Sequence, residues 1–239
     1  MNRISRVATR GAVRVACLTA MIVVVDALAL LLQRDHNAPH EAPAVLALVV
    51  AALSFAAERF PIDLSIKTER HTLSFNELAL GLGVVYLSPM LLTAAILVGG
   101  GGALVAHRRQ RGVKLAFNCA QLAAQAIAVT AVFAAFDDPS SASVRIVALM
   151  AALLVADIVS ALLVSGAIAL FLGSAADVVS RRALCVSLVE SLGKCGAAVV
   201  AVSSVVYAPS LVGLAMSATA AGLYAVYRRS ARVVAVTSA

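Results

Sequence analysis

The sequence predicts an all-α integral membrane protein, one bundle of about eight transmembrane helices, and three observations carry that reading. Of the 239 residues, 62% are hydrophobic and 13% charged, against about 45–50% and about 25% in a typical soluble domain. The apolar residues gather into runs, and a bilayer span needs about 20 of them in succession. The basic residues fall between the runs, almost all on alternate connections. This excludes an ordinary soluble enzyme, a disordered regulator and a disulfide scaffold. Residues 1–239 read as a single polytopic domain, with a basic start over 1–12 and a short tail over 228–239.

The runs are 13–32, 43–57, 75–88, 90–106, 115–136, 144–172, 184–207 and 210–227. Helix is expected of each, because lipid offers no hydrogen bonds to an open backbone. The second to fourth are short and call for flanking residues, a thinned bilayer or a re-entrant path. The sixth is long enough to tilt. Arg3, Arg6, Arg10 and Arg14 before the first run imitate a signal peptide. That run is long for one, contains Asp26 and precedes no small-residue cleavage site, so it reads as a retained helix.

With the N-terminus in the cytoplasm, sixteen of the 19 Lys and Arg fall on inner segments. Only Arg34 and Arg145 fall outside, and Lys194 lies within a span. Cytoplasmic loops retain basic residues, so an even number of crossings is expected, in a cytoplasmic membrane with both termini inside. The net charge of +7 therefore reports topology rather than a nucleic-acid partner.

In the inner loop, Ile62, Leu64 and Ile66 alternate with Asp63, Ser65 and Lys67, which is strand periodicity. Residues 68–71 are expected to turn and 72–75 to return, as a short β-hairpin against the inner membrane face. A bare hairpin is marginal in water, so the membrane or a second chain has to hold it. Ser74 and Glu77 form a capping-box pattern at the next helix start.

Gly99, Gly100, Gly101 and Gly102 interrupt the fourth run. Each lowers intrinsic helicity by about 0.8–1 kcal/mol relative to alanine, and their use in a membrane is close backbone approach. Gly81 and Gly83 on the third run are the expected partners, across the tight turn at Ser88–Pro89. Local unwinding that lines a cavity is the alternative. No Lys-Ser/Thr follows the glycines, so a phosphate loop is not indicated.

Ionisable groups inside spans are expensive and mark function. Asp26, Asp157, Glu190 and Lys194 are such groups. Glu190 and Lys194 stand four apart in the favourable order for an intrahelical pair. Alternatively they join Asp157 in a proton path or a polar ligand pocket. Asn118, Gln121 and Gln125 share one helix face, suited to interhelical hydrogen bonds or to walling the same pocket. Cys17, Cys119, Cys185 and Cys195 form no CxxC pair and read as small hydrophobes. Pro39 separates His36 from His40 and breaks the helix that would aim them, with Asp35 and Glu41, at one ion. Neither a metal nor a cofactor is indicated, and no catalytic constellation appears.

From Glu58 to Gly83 the chain reads ERFPIDLSIKTERHTLSFNELALGLG, followed by Ser88-Pro89, His107-Arg108-Arg109-Gln110 and Lys114-Leu-Ala-Phe117-Asn118. With Glu58, Arg59, His71, Ser74 and Glu77, this order resembles the N-terminal membrane region of bacterial, mainly actinobacterial, GGDEF/EAL proteins. Those proteins make or degrade cyclic diguanylate. The likeness covers about residues 43–136, and the later helices share only hydropathy. It implies a sensor or anchor with its output on the cytoplasmic side. After Tyr227 only 228–239 follow, with neither a GGDEF nor an EAL sequence, so no cyclase or phosphodiesterase residue carries over.

The expected function is therefore a membrane sensor or anchor module for signal transduction, working through the bilayer, a cytoplasmic partner or a homo-oligomer. A small-solute transporter or substrate-binding membrane subunit is the alternative, resting on Asp157, Glu190, Lys194 and the glycines. An intramembrane enzyme has no motif to support it. Reporters fused at Met1 and Ala239 should both read out from the cytoplasmic face, and opposite faces would break this topology.

Overall fold

The computed structural model describes residues 3–33, 44–60, 62–66, 69–73, 76–172 and 181–207, with side chains over 11–33, 44–60, 76–171 and 191–207. The helices are α1 (Arg3–Leu32), α2 (Ala44–Arg59), α3 (Asn76–Tyr86), α4 (Pro89–Ile96), α5 (Gly102–Ala106), α6 (Gly112–Phe136), α7 (Ala142–Leu172) and α8 (Arg181–Tyr207). A π turn, Leu97–Gly101, joins α4 to α5 without a break. Each of the first seven apolar runs falls on a helical stretch. The eighth, 210–227, lies outside the described residues, as do the turn at 208–209 and the tail.

Strands β1 (Ile62–Ile66) and β2 (Glu69–Leu73) pair antiparallel, Ile62 opposite Leu73 and Ile66 opposite Glu69. The return strand begins at Glu69 rather than at 72, so the link between strands is shorter than the periodicity suggested. Ser74 and Phe75 lie outside the described residues. At α4 the start is plain: Ser88 Oγ accepts from the Leu91 N–H at 3.3 Å and Pro89 occupies the first turn, where its missing N–H leaves nothing unsatisfied.

Pairwise contacts fix the helix directions. Gln121 meets Ser160 and Phe133 meets Arg145, so α6 and α7 are antiparallel. Gly11, in the first half of α1, lies on Phe171 at the end of α7, and Gln33, just past the end of α1, reaches Ile127 in α6, which makes α1 antiparallel to α7 and parallel to α6. Glu77 with Lys194 and Gly81 with Val202 make α3 parallel to α8. Ser54 bonds Asn76 while Val50 lies by Gly83, so α2 opposes α3. Ala51 with Gly99 and Glu58 with Arg108 set α2 parallel to the α4–α5 stretch. Gly100 lies on Leu122 and Gly101 on Cys119, so that stretch opposes α6. The helices thus alternate along the chain. Arg59, Arg108, Arg109, Arg111 and Lys114 gather at one end of the bundle.

The main core joins α2, α3, α4, α6, α7 and α8 around Val50, Leu80, Leu92, Ile96, Val129, Leu153 and Val202. A second cluster of Val15, Ile22, Phe117, Ala120, Ala124 and Ala167 seats α1 on α6 and α7. Elsewhere α1 turns Met21, Val23, Val24, Val25, Leu28, Leu31 and Leu32 outward, and α7 does so with Val147, Ile158, Leu162 and Phe171. Apolar surface this continuous marks contact with a membrane or another protein. Among the described residues, four helical stretches are long and apolar enough to cross a membrane: Gly11–Leu32, Pro89–Ala106, Gly112–Phe136 and Ala142–Phe171. They are compatible with a membrane protein. At the end opposite the basic cluster, the Ser140 hydroxyl and N–H both donate to Asp138 and hold its carboxyl below the ordinary value.

The glycine run meets partners other than those expected. A Cβ on Gly99 would strike the carbonyl oxygen of Ala51 on α2, and one on Gly100 would lie 2.9 Å from Leu122 Cδ1 and 3.0 Å from Ser54 Oγ. Gly83 is instead filled by Leu92, and Gly81 faces Val202 on α8 at 3.2 Å. Leu92 occupies the notch between α3 and α4, so those helices meet side chain to glycine. The glycines of α3 and of the π turn serve different neighbours. The backbone at Gly99–Gly102 also stays helical rather than unwinding.

Gly99→Ala should lower stability by about 1–3 kcal/mol, as overpacking does, despite alanine's better helix propensity. Gly102→Ala, where a Cβ would sit 3.9 Å from Phe55, should be neutral or stabilising. Thermal unfolding of the two variants in detergent checks the contrast.

Candidate polar site

Lys194 lies in the middle of α8. Its Nζ is 3.1 Å from Glu77 Oε1 on α3 and 3.5 Å from Asp157 Oδ1 on α7. One turn back on the same face of α8, Ser191 Oγ donates to Asp157 Oδ2. One ammonium thus serves two carboxylates from two other helices. Glu77 sits in the first turn of α3, where the helix dipole favours a negative charge.

These groups line a cavity of about 250 Å³ whose wall also includes Glu58, Asn76, Arg108, Asn118, Gln121, Gln125 and Ser160. The α6 amides face it from successive turns. Asn118 Nδ2 donates to Gln110 Oε1 at 2.6 Å, and Gln121 Nε2 donates to Ser160 Oγ at 2.6 Å. Towards the basic end, Arg108 pairs with Glu58 at 3.2 Å and donates to the Glu58 carbonyl at 3.3 Å. Beside it, Arg59 Nη1 and His107 Nε2 lie 3.0 Å apart. These contacts lock the end of α2 to the end of α5.

Two buried polar atoms in the wall have no hydrogen-bond partner: Asn76 Nδ2 and Glu77 Oε2. Ser54 Oγ donates to Asn76 Oδ1 at 2.9 Å, which fixes the amide with its nitrogen on the other side. Among the described residues, the wall's ionisable groups are the carboxylates Glu58, Glu77 and Asp157 and the cations Arg108 and Lys194.

The structure brings together Asn118, Gln121, Gln125, Asp157 and Lys194, as one of the two sequence readings had it. Asp26 stands apart on α1; it is buried, its Oδ2 has no hydrogen-bond partner and it does not line the cavity. The side chain of Glu190 lies outside the described residues, so only its place on α8 is given. Glu77, expected as a helix cap, lies in the first turn of α3 with Oε1 on Lys194, and its expected capping partner Ser74 lies outside the described residues. From the inner-loop set, Glu58, Arg108 and Asn118 line the cavity, and Arg59, His107 and Gln110 support it. Phe117 is a core residue of the second cluster. Lys114 is exposed, and Arg109 takes a left-handed φ of 49° in the turn before α6. The side chain of His71, on β2, lies outside the described residues.

Sequence reasoning passed over Ser54, Asn76, Ser160 and Ser191. Three of them stand at helical spacing from a charged residue of the wall, Ser54 four before Glu58, Ser160 three after Asp157 and Ser191 three before Lys194, while Asn76 directly precedes Glu77. Cys17, Cys119 and Cys195 are free thiols. Among the described residues no group of three or more His, Cys, Asp or Glu is placed to hold a metal ion. Asp35, His36, His40 and Glu41 lie outside them.

Comparison of the chain with protein-family models, with curated proteins and with solved structures gives no match in any of the three.

Lys194→Met leaves two carboxylates buried without their cation and should cost about 3–5 kcal/mol in unfolding free energy. Arg108→Met removes a pair whose arginine side chain is 32% exposed and should cost at most about 1 kcal/mol. Denaturation of both variants in one detergent tests this order.

Proposed function

We propose that the protein is a multi-pass sensor or anchor module of a bacterial cytoplasmic membrane. It binds a small polar solute in the cavity and passes the bound state to a cytoplasmic signalling partner or a second copy of itself. In this reading the chain crosses the bilayer eight times with both termini in the cytoplasm. The β1–β2 hairpin lies on the inner face, beside Arg59, Arg108, Arg109 and Lys114. The observation that carries it is where the family-like segment ends up. Glu58, Asn76, Glu77, Arg108 and Asn118 from that segment meet Asp157 and Lys194 in one cavity wall.

The coupling follows from differential binding. A solute that competes for Glu77 or Asp157 weakens the hold of Lys194, and α8 then shifts against α3 and α7. A ligand moves such an equilibrium only by its unequal affinity for the two arrangements. The ends of α2 and α5, locked by Glu58–Arg108 and Arg59–His107, are where the shift reaches the inner loops. Cyclic diguanylate is the messenger that the resemblance suggests, made or degraded by the partner.

Transport of the same solute is the second reading, favoured by the placing of Asp157 and Lys194 midway along their helices, as in midplane transporter sites. In the native host, Lys194→Met or Asp157→Asn at wild-type membrane abundance should shift the cellular cyclic-diguanylate level. An unchanged level contradicts the sensor reading. Solute uptake into proteoliposomes that is lost in the same two variants replaces it with transport.

A further inference from the structure

We propose that the cavity takes a small neutral molecule bearing a carboxamide or urea group, held by paired hydrogen bonds to the Gln125 amide on α6. This deepens the reading of the cavity as a solute site and rests on it.

Gln125 carries the assignment. It lines the cavity and is only 9% exposed, and among the described residues no hydrogen bond engages its amide. The unpaired polar atoms shut away in this wall are Asn76 Nδ2 and Glu77 Oε2, not those of Gln125. What Gln125 leaves open therefore includes its amide, turned into the cavity. Its neighbours on the same face of α6 are engaged, Asn118 with Gln110 and Gln121 with Ser160. Native proteins rarely leave such a group without a partner, and a solute that fills the cavity supplies one.

The amide sets the chemistry. Its oxygen accepts and its nitrogen donates, side by side on one carbon. A carboxamide or urea presents the same two atoms in reverse and meets both with near-straight hydrogen bonds, whereas a single hydroxyl reaches both only by bending them. Charge favours a neutral guest. Lys194 holds Glu77 and Asp157, and Arg108 holds Glu58, so an ion has to displace an existing pair. A volume of about 250 Å³ accommodates several heavy atoms, a water's share of liquid volume being about 30 Å³.

The position links this guest to α8. Gln121 bonds Ser160 across the antiparallel α6–α7 contact. From there Gln125 lies about 6 Å along α6 and Asp157 about 4.5 Å in the same direction along α7, at 1.5 Å per residue. A molecule on Gln125 thus sits at the level of the Asp157–Lys194 pair.

The test uses the full chain in one detergent, with each dissociation constant read from the shift of thermal unfolding with probe concentration. Four probes share one shape: acetamide, acetone as an acceptor alone, acetate as an anion and acetamidinium as a cation. Acetamide should bind roughly two- to tenfold tighter than acetone, the worth of one neutral hydrogen bond, and tighter than either ion. Gln125→Met should bring acetamide down to the acetone level. It should unfold at the same temperature or higher, because an unbonded amide adds nothing to the fold. Gln125→Glu keeps the length and should turn the preference to acetamidinium, a reversal that a damaged fold does not produce.

Acetamide bound no tighter than acetone, or equally well after both substitutions, overturns the amide assignment. If Lys194→Met still shifts the cellular cyclic-diguanylate level, the sensor reading outlives it. Levels indifferent to Lys194→Met, with acetamide binding lost in Gln125→Met, keep the ligand class and remove the sensor. Indifferent levels with no binding of any probe overturn both.

Discussion

The ammonium of Lys194 is the constraint on which the rest of the bundle depends. It is the cation that meets both Glu77 and Asp157, and it thereby joins α8 to α3, which lies more than a hundred residues earlier. Ions taken out of water carry a desolvation cost of several kcal/mol each, repaid only by good geometry and further hydrogen bonds. The site supplies some of both: Ser191 bonds the second oxygen of Asp157, and Glu77 sits at a helix start. It leaves Glu77 Oε2 and Asn76 Nδ2 unpaired.

The glycines make that arrangement reachable. By letting Ala51 and Ser54 of α2 approach the π turn, Gly99 and Gly100 bring α2 against the α4–α5 stretch. The approach carries Glu58 and Arg59 to Arg108 and His107 at the basic end, and it sets Ser54 where it orients Asn76. Packing and polar chemistry here are one design: a residue with a side chain at Gly99 pushes α2 out and displaces part of the cavity wall with it.

The helices, and much of the polar face, were legible in the sequence because their signals are local. Apolar runs mark helices wherever backbone groups must be satisfied within a segment. The spacing of Asn118, Gln121 and Gln125 placed them on one face, and the positions of Asp157 and Lys194 within apolar runs marked them as candidates. The partners were not legible. Glycine composition announces close approach without saying to which helix, so Gly99 was assigned to α3 when it serves α2. Glu77 fits a capping pattern equally well whether or not an ammonium waits across the cavity. Ser54 and Ser160 carry no signal until the faces that they share with Glu58 and Asp157 are known to point inward. Long-range placement decided these cases, and a local pattern does not contain it.

A double-mutant cycle between Glu77→Gln and Lys194→Met, read as unfolding free energy in one detergent, measures the central contact directly. If the ammonium holds α3 to α8, the two substitutions couple by at least about 1 kcal/mol, within the range for residues in one ion-pair network. Additive effects, with coupling near zero, would mean that Lys194 does not bind Glu77 and that the cavity has another architecture.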